Sequence, residues 1–170
     1  MLYFISDIHG GEKVDELNEY LSIAKEDDLL IILGDIGLKF TNTKENVIFD
    51  RSFLEIDKKI AIIDGNHENH AYLNSFPEED WCGGKVNRLT SNVVRLKRGN
   101  IFSIFGKTFF VMGGCKSSAK WKEMGLWFDG EEPNEEELAL AYKNLNEHNN
   151  KVDYILPHKY RPDMRSDDKM

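Results

Sequence analysis

The stretch Ile60-Ala61-Ile62-Ile63-Asp64-Gly65-Asn66-His67-Glu68 joins a short apolar run to five residues that are polar or small. An apolar run of this length, rich in β-branched residues and followed by a glycine-containing turn, predicts a buried strand from Ile60 to Ile63. The side chains that follow are carboxylates, a carboxamide and an imidazole, which are ligand types for divalent metals. The stretch therefore predicts a strand whose carboxyl end carries chemistry.

Two apolar runs nearer the N terminus end in the same way. Leu2 to Ile5 leads into Ser6-Asp7-Ile8-His9-Gly10, and Leu29 to Leu33 leads into Gly34-Asp35. The stretches between the runs, from about Val14 to Ala24 and from Asn46 to Ile56, space apolar residues at helical intervals. In the second stretch the predicted inward-facing residues are Val47, Ile48, Phe49, Phe53, Leu54 and Ile56. This alternation predicts a parallel β-α-β-α-β unit whose strand ends open on one edge of a sheet, where ligands of such sheets bind.

The second half of the chain changes in pattern. Three apolar runs follow closely, at Val93 to Leu96, Ile101 to Phe105 and Thr108 to Met112, and predict an antiparallel meander. A helix is predicted from Glu135 to Glu147, with Asn134 and Glu137 as a capping box. A buried strand, Val152 to Leu156, then leads into Pro157-His158 and brings a fourth strand end to the same edge.

The length of 170 residues predicts one domain, 1–170, in which the polar segment 159–170 is expected to be a loose tail. The formal net charge is -8, which argues against non-specific adhesion to nucleic acid or anionic membrane. No apolar run reaches the roughly 18 residues that a membrane span needs. Together these features predict a cytoplasmic protein with no membrane partner.

One segment departs from the acidic average. Residues 81–122 contain no Asp or Glu, and the basic residues among them begin at Lys85 and end at Lys122. This segment, 85–122, is a candidate surface for a phosphate-rich substrate such as a nucleotide or nucleic acid. The alternative is a solvated face with alternating basic residues.

The order of the strand-end motifs is more specific than any one of them. Asp7-x-His9, Gly34-Asp35 and Gly65-Asn66-His67-Glu68 each follow an apolar strand, and in this order they resemble the signature of the calcineurin-like metallophosphoesterase superfamily. The resemblance covers nearly the whole chain. It implies an α/β fold, a two-sheet β-sandwich flanked by helices in an α-β-β-α arrangement, here incomplete at its C-terminal end.

The resemblance also implies a site for two divalent metal ions. It assigns Asp7 and His9 to the first ion, Asn66 and His158 to the second, and Asp35 to both. His67 is implied to stand beside the ions as a proton donor to the leaving oxygen or as a cation that stabilises the phosphoryl group. Asp64 and Glu68 are candidates for fixing a histidine tautomer.

The implied activity is hydrolysis of phosphate mono- or diesters through attack by a water or hydroxide that bridges the two ions. Two ions roughly 3.5–4 Å apart can clamp phosphate oxygens and stabilise the attacking and leaving oxygens. Mixed oxygen and nitrogen ligands favour manganese, iron, zinc or nickel over calcium or magnesium. A small phosphate ester or a nucleotide is the expected substrate, and a nuclease that uses the basic segment is an alternative.

The chain departs from the family pattern in one motif. The family supplies two further histidines in a Gly-His-x-His motif after the position of His158, and this chain has none. Pro157, which precedes His158, is a second departure, since its fixed φ can redirect the histidine. These departures predict weaker metal binding, and they motivate a second hypothesis: a catalytically weak or silent member that binds metal and acts as an interaction module. A sandwich that lacks its last strands would also leave an exposed sheet edge for a second copy of the chain to cover, which predicts a homo-oligomer.

Four further side chains have two interpretations each. His70 is either close to the substrate or exposed in the first turn of a helix. Trp81, Trp121 and Trp127 either line a substrate pocket or pack in the core.

Overall fold

A computed structural model describes residues 1–11 and 13–159, so the predicted loose tail lies outside the described residues except for Lys159. The strands are β1 (Leu2–Ile5), β2 (Leu29–Ile32), β3 (Ile60–Ile62), β4 (Glu78–Trp81), β5 (Gly84–Arg88), β6 (Val93–Leu96), β7 (Ile101–Ile104), β8 (Lys107–Met112) and β9 (Tyr154–Pro157). The α-helices are α1 (Val14–Ile23), α2 (Lys44–Leu54), α3 (His70–Asn74), α4 (Ala119–Glu123) and α5 (Glu135–Glu147), and a 3₁₀ turn spans His9–Gly11.

The first sheet has six strands in the order β1-β2-β3-β6-β5-β4. Strands β1, β2, β3 and β6 are parallel, and β5 and β4 continue the sheet antiparallel. All four residues of β2 are buried, because alternate residues face two different cores: Leu30 and Ile32 face the helices, and Leu29 and Ile31 face the second sheet. The predicted parallel β-α-β-α-β unit is confirmed.

The second sheet contains β7, β8 and β9 in that order. Its apolar residues, Phe102, Phe109 and Leu156 among them, pack against the first sheet. Helices α1 and α2 cover the outer face of the first sheet through Leu17, Tyr20, Phe49 and Phe53. Helix α5 covers the outer face of the second sheet through Ala141. The layers are therefore α-β-β-α, as predicted.

Local signals fix where the two longest helices begin. The side chain of Thr43 accepts a hydrogen bond from the backbone N–H of Asn46 at the start of α2. Asn134 and Glu137 form the predicted capping box at the start of α5, each bonding the backbone N–H of the other. Both arrangements satisfy N–H groups that have no partner within the helix.

The predicted meander is wrong. Strand β6 belongs to the first sheet, parallel to β3, and the chain crosses to the second sheet between β6 and β7. The four residues of β6 are buried, as a strand between two packed layers requires. The β4–β5 hairpin was not predicted, because Glu78-Glu79-Asp80 has no apolar alternation; its turn places Cys82 and Gly83 at positive φ, which suits a two-residue hairpin.

Two predictions of burial are also wrong. Val47 and Ile48 are 46% and 56% exposed, because α2 packs through Phe49 and Phe53, one helical turn apart. In β9, Tyr154 and Ile155 are 51% and 62% exposed, and Leu156 is buried between the sheets. Strand β9 is an edge strand with one covered face, which explains its exposed residues.

Within residues 1–11 and 13–159, no helix combines the length and the apolar character that crossing a bilayer requires.

Candidate metal centre

The loops after β1 and β2 lie side by side at the carboxyl edge of the first sheet. The backbone N–H groups of Asp7, His9 and Gly10 donate to the carbonyl oxygens of Gly34, Asp35 and Ile36, at 3.1, 2.8 and 2.9 Å. These hydrogen bonds continue the pairing of the two strands beyond their ends. As a result, Asp7, His9 and Asp35 stand next to each other, as the motif spacing predicted.

Three residues of these loops adopt an unusual backbone conformation. Asp7, His9 and Asp35 have φ angles of 61°, 50° and 54°, in the left-handed region that non-glycine residues rarely occupy. Each such residue costs on the order of 1–3 kcal/mol and persists only where the surroundings impose it. Strain of this kind clusters at functional sites, and here it falls on three predicted ligands.

Asp35 is buried between two histidines. Its Oδ2 lies 3.7 Å from Nε2 of His9, and its Oδ1 lies 3.3 Å from Nε2 of His158. Burial acts to raise the pKa of Asp35, but the bond to His158 and the backbone N–H of His67 outweigh it, so the pKa is lowered. One carboxylate thus offers an oxygen to each of two imidazoles.

Asp7 completes this group from the neighbouring loop. Its Oδ1 lies 3.7 Å from Nε2 of His9. Ligand atoms of Asp7, Asp35 and His158 all lie within 4.8 Å of one another. The Ser6 hydroxyl bonds the other oxygen of Asp7, which leaves Oδ1 facing His9.

His158 arrives from β9, in the second sheet. Its Nδ1 lies 2.7 Å from the carbonyl oxygen of Leu33, which can only accept, so Nδ1 carries the proton and Nε2 faces Asp35. Burial acts to lower the pKa of His158, but the bonds to Asp35 and Leu33 raise it. The proline at position 157 ends β9 without turning the histidine away from the site.

Asn66 is held from both sides of its carboxamide. Its Nδ2 donates to Oγ of Ser117 at 2.9 Å, and its Oδ1 accepts from the thiol of Cys115 at 3.0 Å. Glu131 in turn holds this segment, because its Oε2 accepts from the backbone N–H of Ser117 at 2.7 Å. The sequence interpretation missed Cys115, Ser117 and Glu131, since no local spacing connects them to Asn66.

His67 lies beside these residues. Its ring contacts Trp121, Phe40 and His9, with ring centroids 4.6, 5.1 and 5.2 Å apart. Burial is the largest cause of its lowered pKa. The imidazole is thus positioned by aromatic side chains and by its own backbone N–H, which donates to Asp35.

Asp64 and Glu68 do not bond histidines, so the prediction that they fix a tautomer is wrong. Asp64 is fully buried and pairs with Arg95 and Arg98, which hold the pKa of its carboxyl well below the usual range in spite of burial. Glu68 accepts from the backbone N–H groups of Ile36, Gly37 and Gly65, at 3.0, 3.3 and 3.3 Å. Burial raises the pKa of Glu68 to about 8. Both carboxyls hold the loops that carry the site.

His70 and the tryptophans now have one interpretation each. His70 is buried, so neither predicted position is right, and burial lowers its pKa to about 4. Trp121 lines the site, whereas Trp81 packs against Phe102 in the core. Trp127 carries the ammonium group of Lys122 over its ring at 4.3 Å.

The basic segment is largely neutralised. Six of its side chains pair with carboxylates: Lys85 with Asp80, Arg88 with Glu79, Arg95 and Arg98 with Asp64, Lys97 with Glu78, and Lys107 with Asp153. The partners come from β4, from the end of β3 and from the start of β9, which only the fold brings close. Lys116 differs, because it lines the cavity at the predicted ligands.

The predicted site residues share one cavity. It has a volume of about 500 Å³ and is lined by Asp7, His9, Asp35, Asn66, His67, Lys116, Ser117, Ser118, Trp121, His158 and Lys159. Carboxylate oxygens, a carboxamide and imidazoles suit manganese, iron or zinc. Every candidate named from the sequence therefore reaches the same cavity.

The sequence matches the calcineurin-like phosphoesterase family over residues 1–168. No match was found among curated proteins or among solved structures. Since the match spans nearly the whole chain, the chain belongs to the calcineurin-like phosphoesterase family. Members of this family generally bind two divalent metals, and the family is associated with metal-dependent hydrolysis of phosphate esters.

Proposed function

We propose that the chain hydrolyses phosphate mono- or diesters with two divalent metal ions held at this cavity. Asp7, His9 and Asp35 would hold one ion, and Asp35, Asn66 and His158 the other. The observation that carries the proposal is the carboxylate of Asp35, whose two oxygens face Nε2 of His9 and Nε2 of His158. A single buried carboxylate between two neutral-nitrogen donors suits a ligand shared by two ions.

The side chains also meet the chemical requirements of such a centre. The bond from Nδ1 of His158 to Leu33 fixes the tautomer whose Nε2 has a free lone pair once its proton is lost. The clamp on Asn66 fixes its oxygen on the side of Cys115 and leaves that oxygen a second lone pair. When bound, the ions would supply positive charge that stabilises phosphate oxygens and activates water.

His67 would act on the leaving group. Its ring lies beside Trp121 and Phe40, and its pKa is lowered by burial, so the imidazole can give up a proton readily. We assign it the role of proton donor to the leaving oxygen. Lys116 would attract the phosphate to the cavity through its positive charge.

Metal titration of the purified chain tests the ligand assignment. We expect two manganese ions per chain by calorimetry, one in Asn66→Ala, and neither bound tightly in Asp35→Ala. Asp27→Ala, which removes an exposed carboxylate paired with Lys59, should bind as the unmodified chain does. Since the family's Gly-His-x-His motif is absent here, weaker binding than a four-ligand site provides is expected.

Turnover is measured in parallel with p-nitrophenyl phosphate and its bis ester, in added manganese. Hydrolysis that Asp35→Ala abolishes and Asp27→Ala leaves intact supports the enzyme. Two bound ions without hydrolysis of either ester would favour the alternative of a silent metal-binding module. No metal binding at all would contradict both.

A further inference from the structure

A second, apolar cavity adjoins the metal-site cavity. It has a volume of about 750 Å³, and its apolar walls are Val14, Phe40, Ile48, Phe49, Trp121 and Leu126. His9, His67 and Trp121 line both cavities, so the two are continuous at these three side chains. We name it the apolar cavity.

The polar groups in its wall are already bonded to each other. Oδ1 of Asn46 accepts from the backbone N–H and the hydroxyl of Thr41, and its Nδ2 donates to the carbonyl of Gly37 and to Asp50. Thr43 caps α2 by accepting from the backbone of Asn46. A ligand in this cavity therefore finds apolar surface and few free hydrogen-bonding partners, which suits an apolar group and not a sugar.

The exposed apolar surface lies on the same side. Ile48 is 56% exposed and lines the cavity, while its neighbour Val47 is 46% exposed and does not. Phe40 packs its ring against Phe128 at a centroid distance of 5.4 Å, which keeps one aromatic wall in place. Apolar side chains that water reaches gain stability when a ligand covers them.

We infer that the apolar cavity binds the organic group of the phosphate ester, and that the preferred substrates carry a bulky, aromatic alcohol. The inference rests on the proposed function and adds the substrate class. His67 stands where the two cavities meet, so a leaving oxygen beside its ring projects its substituent toward Phe40 and Trp121. Water supplies the new P–O bond, the P–O bond to the alcohol breaks, and the alcohol leaves with the proton from His67.

Two phosphate monoesters with alcohols of nearly equal acidity separate binding from leaving-group reactivity. We expect 3-phenylpropyl phosphate to have a KM roughly tenfold lower than propyl phosphate, since burying a phenyl ring contributes about that much. The kcat values should be similar. Equal KM values would overturn the inference, whereas hydrolysis of neither ester would count against the proposed function.

Binding of the matching phosphonates tests the cavity without turnover. To the manganese-loaded chain, 3-phenylpropylphosphonate should bind roughly tenfold more tightly than propylphosphonate by calorimetry. Equal affinities, or no binding of either, would overturn the inference even in an active enzyme.

Adjacent residues of α2 provide a matched pair of variants. Ile48→Ser should reduce the preference for the phenylpropyl group several-fold, because it places a hydroxyl in the cavity wall. Val47→Ser makes a similar change at a similarly exposed position outside the cavity and should leave the preference unchanged. Loss of the preference in both variants, or in neither, would contradict the assignment of the cavity.

Discussion

Nδ1 of His158 lies 2.7 Å from the carbonyl oxygen of Leu33, although 125 positions separate the two residues in the chain. This contact joins the end of β9 in the second sheet to the end of β2 in the first. Because the carbonyl can only accept, it fixes the histidine tautomer and directs Nε2 to Asp35. The site therefore depends on the two sheets being packed together.

Gly34→Ala should displace His158. A Cβ at this position would lie 2.4 Å from Nδ1 of His158 and 2.8 Å from Cα of Gly65, and the backbone φ is +88°. We expect loss of the second metal in calorimetric titration, together with a large loss of kcat.

Gly106→Ala is the matched control for that change. Gly106 has a φ of +74° and nothing within 4 Å of an added Cβ, so it shares the backbone cost without the clash. If both alanine variants lost metal to the same extent, backbone strain and not the position of His158 would be the cause.

His67→Ala should separate leaving groups. A proton donor matters most for a poor leaving group, so hydrolysis of propyl phosphate should fall by about 10²–10⁴-fold. Hydrolysis of p-nitrophenyl phosphate should fall much less, because p-nitrophenolate leaves without a proton. Metal stoichiometry should not change, and His148→Ala, at the exposed end of α5, serves as the control. Equal losses on both esters would instead assign His67 to charge stabilisation.

Asp64→Asn should destabilise the fold. It leaves Arg95 and Arg98 buried without their shared carboxylate, which costs about 3–5 kcal/mol in the free energy of unfolding at pH 7. The pKa of Asp64 is lowered in the folded chain, so its stabilising effect is complete above the ordinary value of 3.8 and is lost as the pH falls below it.

Urea denaturation at pH 7 and near pH 3 measures both effects. The difference between the unmodified chain and Asp64→Asn should shrink at the lower pH. Asp27→Asn removes an exposed carboxylate and should change stability little at either pH. A difference that stayed constant with pH would exclude charge as the origin of the destabilisation.

Lys116→Ala should weaken substrate binding. Lys116 lines the metal-site cavity, and loss of one partly screened charge should raise KM roughly three- to tenfold. Lys85→Ala makes the same change in net charge at a residue paired with Asp80 and should leave KM unaltered. An equal rise in both variants would indicate a general effect of net charge on the anionic substrate.

Much of the fold follows from local pattern. The strands β1, β2 and β3 and the helices α1, α2 and α5 were predicted within one or two residues, because period and capping are properties of neighbouring residues. The β4–β5 hairpin and the place of β6 were not. Their strands are set by pairing across the sheet, which the polar run at Glu78 does not announce.

The sequence by itself determined which residues could carry the chemistry, since Asp7, His9, Asp35, Asn66 and His67 each follow a strand in a recognisable order. A parallel sheet collects the ends of its strands at one edge, so their convergence needs no further information. Tertiary structure alone decided how those groups are held. The contact of His158 with Leu33, the clamp on Asn66 and the neutralised basic segment join residues far apart in the chain, and only the packing of two sheets brings them within bonding distance.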